Sequence, residues 1–255
     1  MSKPPDSVAE NCFIPFHSPV VADLIPARLN NPFELNIPEI AKIAAGELQK
    51  YLEAQQGNWL HDFWRNKGKM FGVLVVKTEA GELGYLSTFS GKMRDEPHPE
   101  IFVPSLFDIA TNDYFISKGM VKLSEMGQRI EDLSLQATPS ANAQLSLLKE
   151  ERKAFSLRLQ QELFDQYVFL NHAGMSKGLC DIFAEYEGKK PPSGAGECAA
   201  PKLLHYAFGR KMKPIAIAEF WWGKSSKSEA KQHLEYYPAC EEKCRPILTY
   251  MLGLG

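Results

Sequence analysis

From Pro38 the apolar residues Ile40, Ile43, Ala44, Leu48, Tyr51 and Leu52 recur at intervals of one, three and four. That spacing returns side chains to one face of an α-helix. Pro38 suits the first turn and Gly57 a stop just past the end. Residues 70–76 form an apolar, β-branched run, 78–82 supply turn chemistry, and 83–89 give a second run, which together predict a β-hairpin. Residues 95–104 carry three prolines and read as loop.

Between Tyr114 and Leu170 the pattern turns helical. Leu123, Met126, Ile130 and Leu133 make one set; after a breaker at 136–140, Leu145, Leu148, Phe155, Leu159, Leu163, Tyr167 and Leu170 make another. Charged and amide side chains fill the other faces, so the segment reads as an antiparallel, coiled-coil-like helical hairpin. Further on, Leu203, Leu204, Ala207 and Phe208 predict a helix that starts near Cys198 and stops at Gly209. A strand follows at 215–222. The last helix begins near Ala239 and carries Cys240 and Cys244 one turn apart.

The fold class expected is α/β, a mixed sheet flanked by helices with a long helical-hairpin insertion. Its parts are an irregular N-terminal arm (1–37), a first core segment (38–112), the hairpin (113–172) and a second core segment (173–255). Cys12, Phe13, Ile14 and Phe16 are expected to anchor the arm.

With 29 Lys and Arg against 31 Asp and Glu, the chain is no polycation, and any nucleic-acid surface must come from local clusters. No apolar run approaches the length of a membrane span. The opening Met-Ser-Lys-Pro-Pro lacks the basic and apolar regions of a secretory signal. Five cysteines in such a chain point to reduced thiols and a cytoplasmic setting rather than a disulfide framework.

Three of these cysteines, Cys198, Cys240 and Cys244, fall at or near predicted helix starts on either side of the 215–222 strand. Three thiolates with one position left open is a way of holding catalytic zinc, and Glu197 beside the first thiol is the expected proton shuttle. Two other readings stand beside it. The thiols could close a structural zinc site with His205 or His233, or they could simply be small apolar fillers.

With the hairpin set aside, the order helix, β-hairpin, helix, strand, helix resembles the zinc-dependent cytidine deaminase fold, whose ligands sit at two helix N-termini. The resemblance implies hydrolytic chemistry on a nucleobase. That family places its glutamate two residues after the first ligand, where this chain has Ala200. Its second pair is Pro-Cys-x-x-Cys, whereas here Pro238 stands one residue early and three residues separate Cys240 from Cys244.

A second resemblance covers most of the chain from about Cys12. The runs 68–76, 81–86, Phe89-Ser90-Gly91-Lys92, 194–204, Ala218-Glu219-Phe220-Trp221-Trp222-Gly223 and Tyr237-Pro238-Ala239-Cys240 resemble the long N-terminal region of large bacterial RluA-type RNA pseudouridine synthases. The catalytic His-Arg-Leu-Asp motif of that family is absent from the chain. The resemblance therefore implies an RNA-associated accessory region, partnered by a catalytic synthase domain downstream, that does not itself isomerise uridine.

The RNA contacts expected are Arg210, Lys211 and Lys213 before the strand, and Trp222, Lys224, Lys227 and Lys231 after it, a basic rim beside aromatic faces. A third possibility is a structural role, with the hairpin at 114–170 forming a homodimer or recruiting a partner.

Overall fold

A computed structural model describes residues 12–55, 57–91, 100–106, 114–136, 138–225 and 230–254. The two apolar runs form strands β2 (Lys69–Lys77) and β3 (Leu83–Phe89), joined by a turn in which Gly81 takes φ +89°. β1 (Ile14–Pro15) extends this hairpin on one side. On the other lie β6 (Lys213–Trp222) and the two-residue β7 (Tyr236–Tyr237), giving the order β1-β3-β2-β6-β7. Among the described residues every strand pairing is antiparallel, and the parallel component is the isolated bridge between Ser87 and Phe102. The expected mixed sheet is thus an antiparallel sheet flanked by helices.

Both faces of the sheet are covered, which is why β2 and β6 read as nearly unbroken apolar runs. Phe71, Val73, Val75, Ala216, Ala218, Phe220 and Trp222 pack towards α1 (Glu39–Ala54), which offers Ile40, Ala44, Leu48 and Leu52. Leu74, Val76 and Ile217 face α6 (Ala199–Gly209) and α7 (Glu241–Leu252). Phe71 lies among the rings of Trp64, Phe89, Phe102 and Phe220 at centroid distances of 5.3, 5.8, 5.8 and 6.0 Å. Burying one such side chain contributes about 1.5–3 kcal/mol. Opposite it in the pleat, Gly72 lets α6 approach, since a Cβ there would fall 2.8 Å from that of Ala199.

The helical hairpin consists of α3 (Tyr114–Ser134) and α4 (Pro139–Phe164). These helices pack chiefly on each other, and Phe115, Leu163 and Phe164 root them in the core. α4 ends at Phe164, short of the expected Leu170. Tyr167 belongs to the main core, and Leu170 closes β4 (Val168–Leu170), which pairs with β5 (Ser176–Gly178). Two further helices, α2 (Trp59–Lys67) and α5 (Leu179–Glu187), were not signalled by spacing. Of the N-terminal segment, residues 12–37 are described; they hold β1 and a single 3-10 turn at Ala22–Leu24, with Cys12 buried and Phe13, Ile14 and Phe16 packed on the core. Among the described residues no helix is long and apolar enough to cross a membrane.

Candidate metal centre

α6 and α7 both begin at one end of the sheet, and each has a cysteine as its N-cap. Cys198 (φ −73°, ψ 157°) precedes α6 and Cys240 (φ −69°, ψ 142°) precedes α7, while Cys244 sits one turn into α7. The loop before Cys198 bends through Gly194 and Gly196, both at positive φ; a Cβ on Gly196 would fall 3.0 Å from the Tyr167 ring.

The three sulfurs meet. Sγ of Cys198 lies 3.9 Å from that of Cys240, which lies 3.2 Å from that of Cys244, and all three are within 4.8 Å of one another. Zn–S bonds of ~2.3 Å in tetrahedral geometry put sulfurs about 3.8 Å apart, so the cluster is sized for such an ion. Burial grades across it: Cys244 is buried, Cys198 half-buried and Cys240 exposed. Charge follows. Cys240 is held low by its sulfur–sulfur hydrogen bonds with Cys198 and Cys244, aided by backbone N–H groups of Lys243 and Cys244. Cys198, through its contact with Cys240, and Cys244, through its contacts with Cys198 and Cys240, are pushed up, and burial adds to both. Cys240, at a helix N-terminus that favours negative charge, is the thiol shifted towards its ionised form.

Glu197 is occupied elsewhere. It accepts hydrogen bonds from the hydroxyls of Tyr167 and, at 3.3 Å, Ser105, and it opposes the lowering of Lys69 caused by burial. The carboxylate expected as proton shuttle is thus engaged by the β4 side of the core. A different one stands at the cysteines. Glu219, in the middle of β6 and only 7 % exposed, accepts the N–H of Ala200 at 2.9 Å, in the first turn of α6. Burial raises its carboxyl to about 7, opposed by the Ala200 N–H; the Cys240 charge adds to the rise and Lys231 and Lys202 oppose it. Its signal in the sequence was a lone carboxylate inside the apolar strand Pro214 to Trp222.

Neither histidine joins the sulfurs among the described residues. His205 accepts the Leu170 N–H at 3.2 Å, and His233 that of Gly223 at 2.9 Å. The expected RNA contacts divide into two groups. Arg210, stacked 3.6 Å from the Tyr206 ring centroid, Lys211, 3.9 Å from Glu79, and Lys213 stand where β6 begins. Lys224 and Lys231 stand where β6 ends, the thiol end, roughly 30 Å away at ~3.3 Å per residue. Lys227 lies outside the described residues. Trp222 is 1 % exposed, edge-on to His233 at 4.7 Å, and offers no open face for a base to stack on. Trp221 is also buried, with Lys231 5.4 Å above its ring.

No protein-family model, curated protein or solved structure matches the chain.

Proposed function

We propose that this chain is an RNA-associated accessory region of the RluA type, built around a zinc–thiolate centre. One observation carries the reading: the sequence runs behind the resemblance, far apart in the chain, meet at a single place. The Gly91 N–H donates to the Glu197 carbonyl at 2.7 Å, and Lys202 donates to the Phe89 and Gly91 carbonyls. Glu219 holds Ala200 and is the register partner of Tyr237, and Cys198 touches Cys240. Such convergence supports a built site more than it supports three cysteines filling space. Zinc held by Cys198, Cys240 and Cys244 would supply folding free energy and a Lewis acid beside Glu219. The cations at the same end supply attraction for phosphate.

Metal analysis of protein purified without chelator tests the centre. One zinc per chain is expected, lost in each of Cys198→Ser, Cys240→Ser and Cys244→Ser; metal-free wild type refutes it. For RNA, reversing Lys224 and Lys231 to Glu should weaken binding and reduce the salt slope by about 0.7 for each phosphate that is no longer neutralised. Unchanged affinity and slope would remove Lys224 and Lys231 from the RNA surface.

A second reading, a zinc-dependent deaminase-type hydrolase acting on a nucleobase, is favoured by Glu219. Its carboxylate is bonded to the N–H of residue 200, the position where deaminases carry their glutamate. Ammonia release from cytidine, adenosine or short RNAs by zinc-loaded protein, abolished in Glu219→Gln, is the expected result. Equal background release from both proteins would end this reading.

A further inference from the structure

The last turn of α2 and the chain leaving β6 are clamped together at the thiol end of the sheet. The Lys224 N–H donates to the Arg65 carbonyl at 2.8 Å, and Trp221 Nε1–H donates to the Lys224 carbonyl at 3.1 Å. Gly223 is required at the joint. It has φ +97°, and a Cβ there would fall 2.5 Å from the Arg65 carbonyl oxygen and 2.6 Å from that of Trp64. Gly68, at φ +72°, is equally confined, its Cβ position lying 2.1 Å from the Lys224 carbonyl oxygen. The two backbones are therefore fixed relative to each other, and the side chains they carry project from a rigid frame.

Those side chains line an open cavity of about 600 Å³ formed by Arg65, Asn66, Lys224, Lys231, Gln232 and His233, with no carboxylate among the described lining residues. The volume lies in the range of small-molecule sites, ~300–1,000 Å³. The lining combines a planar guanidinium suited to bidentate phosphate contact, two ammonium groups and two amides. His233 completes it: its Nδ1 accepts the Gly223 N–H, so in the neutral ring the proton is on Nε2, which is a donor. Arg65 carried no signal in the sequence, because the element that brings it here, α2, was itself unforeseen, and His233 was expected only as a metal ligand.

We propose that this cavity is a phosphate-ester site that takes one nucleotide unit, with Arg65, Lys231 and Lys224 on the phosphate and His233, Asn66 and Gln232 as polar donors around it. The biological source of the nucleotide, an RNA strand, rests on the reading above; the site itself does not. A free nucleotide, a strand terminus and an internal phosphate share the same chemistry and are separated by choice of probe.

The experiment is calorimetric titration of the full chain with uridine, uridine 5′-monophosphate, and oligouridylates with and without a 5′-phosphate. The monophosphate should bind and uridine should not. Arg65→Glu combined with Lys231→Glu should lower affinity at least tenfold, and Lys224→Glu with His233→Ala, tested separately, should do so through different side chains. Near-UV circular dichroism checks that each variant is folded, and Lys153→Glu on α4 should bind as wild type does.

A preference for the 5′-phosphorylated oligomer marks a strand terminus, and equal binding of both oligomers marks an internal phosphate. Wild type that binds neither the monophosphate nor the oligomers overturns the proposal, as do unchanged affinities in both double variants. Oligomer binding that depends on Lys211 and Lys213 but not on the cavity would keep the RNA reading and sink this site. Monophosphate binding without oligomer binding would do the reverse.

Discussion

α3 and α4 bury one narrow stripe, with Ile116, Met126, Leu148 and Leu159 among its members, and leave most other side chains in water. α6 buries eight of its eleven residues, in a position where β2 must present Gly72 to let it approach. The hairpin is thus a local structure, two helices whose chief partner is each other. The thiol end is a non-local one, assembled from the turn after β3, the start of α6, the end of β6 and the start of α7. A local structure tolerates change at most positions. A convergent one is sensitive at nearly all of them, and that is where chemistry can be placed.

The sharpest way to break this contrast is to remove a large side chain from each region. Phe71→Ala takes a fully buried ring from among four aromatic neighbours. It should cost about 3–5 kcal/mol, read as a fall in the urea midpoint of the main transition. Leu159→Ala, beside Gly119 in the hairpin, should cost about 2–3 kcal/mol and fall on a separate, earlier loss of helix signal. Equal losses on one shared transition would show that hairpin and sheet are a single cooperative unit.

The same contrast explains what could be read from one dimension. α1, the β2–β3 hairpin, α3, α4, α6, β6 and α7 each have enough residues for a period to emerge, and their positions were legible. β4 and β5 have three residues each, too few to alternate visibly. On α2 the buried His61 occupies a core position, so the apolar spacing is interrupted by a polar residue. At the site, the cysteines were legible because thiols at helix starts already suggest ligands. Glu219 was not, because its partner is a backbone N–H whose placement depends on α6 lying over β2. Trp222 was expected beside an open aromatic face; both it and Trp221 are buried, because helices and the 230–237 segment cover both faces of β6.

Glu219 also gives the thiol end a titration of its own. Burial raises its carboxyl from an ordinary 4.5 to about 7, so between these values the folded chain binds more protons than the unfolded one. Stability is then highest below the lower value and falls as pH rises to the upper one. His205 works in the opposite direction: burial lowers it from 6.5 to about 4, and the stability it contributes above 6.5 is lost on acidification through that window. The two oppose each other at intermediate pH, so wild type alone should show a shallow profile. Glu219→Gln separates them. In metal-free protein its stability relative to wild type should rise by about 1–3 kcal/mol between roughly pH 5 and pH 8, measured by denaturant unfolding. A constant difference across that range would place the carboxyl in contact with water.

The smallest test compares helix starts. Thr138 opens α4 as a working N-cap: its Oγ1 accepts the Ala141 N–H at 3.2 Å, with Pro139 at the first helical position. Cys198 occupies the same position on α6 and makes no capping bond, its sulfur turned to that of Cys240 instead. A thiol is a weak acceptor, so leaving the cap unmade costs stability that a metal would return. Thr138→Ala should therefore cost about 1 kcal/mol, confined to faster hydrogen exchange at the first amides of α4. Cys198→Ser should do the opposite in metal-free protein, since a serine hydroxyl caps where a thiol does not, and gain up to about 1 kcal/mol. Loss of stability in metal-free Cys198→Ser would mean that the sulfur is held by packing rather than kept for a ligand.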